Sequence, residues 1–102
     1  MMTFDEIRTF CLSLENVIEK PHFDRTAFRS KRIFLTHIPE TYHINVKLTP
    51  KDQDLFSLPN KSVIYPVTNK WGLQGWTTIE FNQLDDETLI QIIETAYQIA
   101  ST

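Results

Sequence analysis

The chain has 102 residues, 41% of them apolar and 23% charged, and a net charge of −3. These values fit one folded domain over residues 1–102 and exclude a disordered or collagen-like chain. No apolar run approaches the ~20 residues that span a bilayer, the opening "MMTFDEIRTF" has acids where a secretory signal carries lysine or arginine, and the single cysteine, Cys11, rules out an intrachain disulfide. A cytoplasmic protein without a membrane partner is therefore expected.

The first predicted helix begins with a capping box, Thr3 and Glu6, and carries Phe4, Ile7, Phe10, Cys11 and Leu14 at helical spacing. Cys11 on that stripe reads as core rather than as a nucleophile. Strands follow near Thr26–Arg29, Arg32–Ile38 and Tyr42–Leu48, with "RSKR" as a tight basic hairpin and "PET" as the next turn. In the third of these, Ile44, Val46 and Leu48 alternate with His43, Asn45 and Lys47, so one sheet face is buried and the other is polar and basic. "TPKDQDLFSL" opens a helix with Thr49 as cap and Pro50 at its first position, Leu55 and Phe56 supplying its apolar face. "SVIYPV" is a brief run that Pro66 confines to an edge. "WTTIEF" is a last strand with Thr77, Ile79 and Phe81 on one face, and "LDDETLIQIIETAYQIA" is a long helix capped by Asp85. The order α-β-β-β-α-β-(β)-α predicts an α+β domain, with a mostly antiparallel sheet and helices on one face.

Charge is segregated along the chain. Lys20 to Gly75 holds nine lysines and arginines against four acids, a balance of +5, whereas the flanks hold one arginine against nine acids, −8. All three histidines also lie in the middle. A basic central face with acidic flanks is expected.

Both glycines and both tryptophans fall in "NKWGLQGW", Asn69–Trp76. The spacing predicts a tight rigid loop leading into the last strand, with Gly75 at positive φ or against a neighbouring backbone. Asn69 tolerates left-handed geometry. "GLQG" has neither the Walker nor the dinucleotide spacing, so it is not a phosphate loop. Strict alternation places Trp76 on the open face, and Trp71, just before the turn, is expected to pack inward as the loop's anchor.

Taken in order, "FCLSLENVIEKPHF", "INVKLTP", "SVIYPVTNKWGLQGWTTIE" and "LIQIIETAY" make the chain resemble the MmcQ/YjbR-like family of small bacterial proteins. That resemblance implies a compact α+β fold likened to a double-wing DNA-binding architecture, and a DNA-binding label that rests on fold analogy. By position it draws attention to Pro21, His22 and Phe23, to Asn45 and Lys47, and to Asn69, Lys70 and Trp71. The first hairpin of relatives often turns on a glycine, where this chain has Ser30–Lys31.

Catalytic and metal chemistry find little support in the residues. His22 and Asp24 form only a short His-x-Asp, and His37 and His43 would need to meet across paired strands with further ligands to hold a metal. Asp85, Asp86 and Glu87 are explained by a helix start. No cofactor motif is present, and the balance leans away from an enzyme. Two readings stay open. One is weak, largely sequence-independent DNA binding through Arg29, Lys31 and Arg32 at the hairpin, His43, Asn45 and Lys47 on the open strand face, and Lys70 and Trp76 at the loop. The other is a non-enzymatic module that binds a protein or a small ligand with the sheet face and the Trp/Gly loop. The acidic pI of about 5.5 weighs against a dedicated nucleic-acid binder.

Overall fold

A computed structural model describes residues 1–102. Thr3 caps helix α1, Phe4–Ser13, accepting from the Glu6 amide while the Glu6 carboxylate accepts from the Thr3 amide. Strands β1 (Ile18–His22), β2 (Arg25–Arg29), β3 (Ile33–His37) and β4 (His43–Lys47) follow as a meander. Helix α2 (Pro50–Ser57), strand β5 (Ile64–Pro66), a one-turn helix α3 (Lys70–Leu73), strand β6 (Trp76–Glu80), a 3-10 turn over Phe81–Gln83 and helix α4 (Asp86–Ala100) complete the chain. All strands pair antiparallel in one six-stranded sheet, ordered β1-β2-β3-β4-β6-β5.

Register fixes the two faces. Phe28, Leu35, Val46 and Thr77 align in one row, and His37, Ile44, Ile79 and Ile64 in the next. All eight are buried. They meet α1 and α4, whose buried Ile7, Cys11, Leu89, Ile92, Ile93 and Ala96 complete the core. Burial pushes the Cys11 thiol up to about 12, as befits a core side chain. Phe4 of α1 stacks on the His37 ring at 3.6 Å, and the His37 imidazole is hydrogen-bonded to the Thr41 carbonyl. The opposite face carries the row Lys20, Ala27, Thr36, Asn45, Thr78 and Tyr65 and is left without a helix layer. The expected α+β fold, an antiparallel sheet with helices α1 and α4 on one side, is what the chain adopts.

Three local expectations need correction. Strand β1 was not foreseen, because Ile18, Glu19, Lys20, Pro21 and His22 lack apolar alternation; it is an edge strand, where charge and a missing amide are tolerated. Helix α2 does not bury Leu55, which is exposed; it buries Gln53 and Ser57 instead. The Gly–Trp loop contains the helical turn α3, and Asn69, at φ −121°, caps that turn and is not left-handed.

Candidate functional site

Two turns rise on opposite sides of the open sheet face. The first joins β1 to β2 through Phe23 and Asp24. Phe23 adopts φ 60° and leaves its ring 93% exposed. Aromatic residues rarely hold positive φ, and an exposed one there gains no compensating burial. The His22 ring meets it edge-on at 4.9 Å. Arg25, the last residue of the turn, has Nε 3.9 Å from the Asp24 carboxylate, a loose and exposed pair.

The second rise is α3. Asn69 Oδ1 accepts from the Trp71 amide at 2.9 Å and starts the turn. Gly72 lets it press against the end of β5, since a Cβ there would lie 2.0 Å from the Val67 carbonyl oxygen. Gly75, at φ +103°, returns the chain to β6, and its Cβ would lie 1.8 Å from the Leu48 carbonyl oxygen. Its expected special backbone role is therefore met twice over. Two side chains pin the turn from beneath. Gln53 Nε2 lies 3.0–3.1 Å from three acceptors, the carbonyls of Gly72 and Trp76 and Thr77 Oγ1, and shares its two hydrogens among them. Lys47 Nζ donates to the carbonyls of Leu48 and Gln74.

Between these rises lies a cleft of about 430 Å³. Thr36 and Asn45 form its floor, His22, Phe23, Asp24 and Arg25 one wall, and Val67, Asn69, Trp71 and Trp76 the other. Asn45 Oδ1 accepts from Thr78 Oγ1 at 2.8 Å, so the floor is itself ordered. A second hollow of about 700 Å³ lies beside the α1 N-terminus, lined in part by Met1, Met2, Phe4 and Phe81. Tyr42, which the ligand-binding reading of the sequence counts with His43, lines it, as does His37, whose imidazole Phe4 already covers.

The candidates read from sequence are distributed unevenly over this geometry. Asn45 and Trp76 line the cleft, Trp76 on the open face as its pairing with Lys47 requires. Lys70 is exposed on α3 beside the rim, and His43 is exposed on β4. Lys47 shares that face, but burial and then the nearby Arg32 charge hold its ammonium below the ordinary lysine value, and its hydrogens serve the α3 turn. The hairpin cations are engaged elsewhere. Arg29 donates to the Lys31 carbonyl, and Arg32 to the carbonyls of Ile99 and Thr102 at the end of α4; Lys31 is left exposed. A cation at a helix C-terminus satisfies unpaired carbonyls and opposes the dipole. Arg32→Ala should thus lower stability by about 1 kcal/mol in a urea titration, while Lys31→Ala leaves the midpoint unchanged.

Trp71 is not the buried anchor expected from its place before a glycine. It is 49% exposed, because Gly72 and not the indole packs against the sheet. Arg25 and Thr36 were not singled out from the sequence, and Phe23 and Asn69 were noticed only through the family resemblance. The "PHF" and "NKW" segments drew notice by family resemblance, but only tertiary pairing shows that they face each other. His37 and His43 lie on opposite faces of the sheet, and no group of three or more His, Cys, Asp and Glu side chains is placed to hold a metal ion.

A family model described as YjbR matches residues 12–99. No match is found among curated proteins. In fold, the chain is similar to the crystal structure of a Deinococcus radiodurans protein with a DUF419 domain, at a TM-score of 0.85 and 18% identity, over 100% of this chain and 80% of that one. No helix is long and apolar enough to cross a membrane.

Proposed function

This chain belongs to the YjbR family, and we propose that it binds single-stranded nucleic acid, weakly and mainly through the phosphate backbone, along the open sheet face. One observation carries the reading. Strand alternation puts Lys20, Arg25, Arg29 and Lys47 on that face with a single strand carboxylate, Glu80, which already accepts from Tyr65 and Gln83. Asp5 and Glu6 sit instead on α1 and Asp86, Glu87 and Glu94 on α4, and Asp24 is the one carboxylate that lines the cleft. A net charge of −3 therefore coexists with a cationic face. Aromatic rings at its rims favour an unpaired strand, whose bases can stack, over a duplex.

The charges that carry binding are Lys20, Lys70 and Arg25, the last held only loosely by Asp24 at 3.9 Å, more than the hairpin arginines. Three phosphate contacts on a single strand give a slope of about −2 in log affinity against log salt. Anisotropy titrations of a labelled oligothymidylate at several salt concentrations check this. Replacing the three by alanine should bring the slope close to zero, whereas Lys31→Ala should leave it unaltered. Absence of binding at low salt, or a slope indifferent to all three charges, defeats the reading.

A further inference from the structure

We infer that the cleft between Phe23 and Trp71 receives one pyrimidine base of the bound strand, stacked on the rim aromatics, with its carbonyl oxygens met by the amide groups of Asn45 and Asn69. This rests on the proposed binding of single strands along the same face. Size is the first support: about 430 Å³ lies at the small end of the range for small-molecule sites and suits one nucleotide.

The second support is the strained turn. Phe23 holds φ 60° while its ring stays 93% exposed, and its one aromatic contact in the fold is the edge of the neighbouring His22 ring. A two-residue hairpin turn is satisfied best by glycine or asparagine at such a position. A phenylalanine held there against its backbone preference, at the wall of a cleft, points to a use outside the fold. Trp71, 49% exposed on the opposite wall, gives a second π-face.

The third support is the polarity of the cleft. The Asn69 oxygen is committed to the Trp71 amide, an unambiguous donor, so the Asn69 nitrogen is the group left for a ligand. The Asn45 oxygen is likewise committed to the Thr78 hydroxyl, leaving its nitrogen as donor. The indole N–H groups of Trp71 and Trp76 can only donate. The one carboxylate of the lining, Asp24, lies beside the Arg25 guanidinium, so donors predominate and the site matches a ring edge rich in acceptors. Thymine and uracil present carbonyl oxygens there, and adenine has none.

The test compares three labelled strands of equal length at low salt: oligothymidylate, oligoadenylate and an abasic backbone. Oligothymidylate should bind on the order of tenfold more tightly than the abasic strand, as one or two stacked bases require. Phe23→Gly and Trp71→Ala should each narrow that difference, and together bring the two probes to the same affinity. Phe23→Gly should do so with an unfolding midpoint equal to or above that of the parent, because it relieves the positive φ; a lowered midpoint assigns Phe23 to the fold and overturns the inference. Equal binding of oligothymidylate and the abasic strand to the parent protein also overturns it, while leaving backbone binding by the open face intact. Oligoadenylate bound as tightly as oligothymidylate overturns the donor-lined base site. If no strand binds, both readings fall together.

Discussion

Gly75→Ala is expected to destabilise the protein by about 3 kcal/mol or more, a large fraction of the stability of a small domain. Two effects add. At φ +103° an alanine is strained whatever the space around it, and its Cβ would also sit 1.8 Å from the Leu48 carbonyl oxygen. That oxygen belongs to the backbone that links β4 to α2, and the Leu48 amide donates to the Gly75 carbonyl at 3.0 Å. The clash therefore cannot be relieved by rotating a side chain. Either the β4–α2 link moves, or the start of β6 moves and takes Trp76 with it. Gly72→Ala should be milder. Its φ is ordinary, so only the obstruction by the Val67 carbonyl 2.0 Å away remains, although that backbone too is tied to β6 through the Val67 amide and the Trp76 carbonyl. Urea denaturation of both variants gives the comparison. A Gly75→Ala midpoint equal to that of the parent contradicts this account of the loop.

How much of this was legible in the sequence depends on which physical signal each element carries. Elements defined by local chemistry read clearly: the Thr3–Glu6 capping box, Thr49 before Pro50, and Asp85 ahead of the last helix all cap where expected. Alternation in "HINVK" and "WTTIE" placed Asn45 and Trp76 on the open face, because those central strands have one buried side. Signals failed where partners are distant in sequence. Lys47 and Arg32 look like phosphate ligands until their acceptors, at Gln74 and at Ile99 and Thr102, are seen. Trp71 looks like an anchor because large rings usually are, yet here the small residue beside it makes the contact. The cleft was hidden for the same reason. Phe23 and Trp71 are separated by most of the sheet's sequence, and only strand order brings their turns to one face.

Gln53→Glu should be among the most damaging substitutions that change no volume, at about 3–5 kcal/mol near neutral pH. Gln53 is buried, and its Nε2 faces three oxygens: the carbonyls of Gly72 and Trp76 and the hydroxyl of Thr77. The Thr77 hydroxyl gives its one proton to the Gly75 carbonyl, so it too faces Gln53 as an acceptor. A carboxylate has no hydrogen to offer any of them, and it places a negative charge among their lone pairs. Burial and these oxygens raise the folded-state pKa of such a glutamate above its unfolded value of about 4.3. The sign follows: the protonated acid can donate once, so the variant should lie closest to the parent below that unfolded pKa. It should lose stability relative to the parent as pH rises through the folded value. Gln53→Leu removes the same donors without adding charge, and should cost about 2 kcal/mol with no comparable pH dependence. Because Gln53 ties α2 to α3 and β6, both variants should also loosen the wall that holds Trp71, and its fluorescence should become more accessible to a neutral quencher. Urea midpoints of parent and variants between pH 4 and pH 8 measure the difference. A Gln53→Glu protein as stable as the parent across that range would mean that the three oxygens do not converge on this side chain in solution, and that the wall of the cleft is held by Lys47, Asn69 and the two glycines without it.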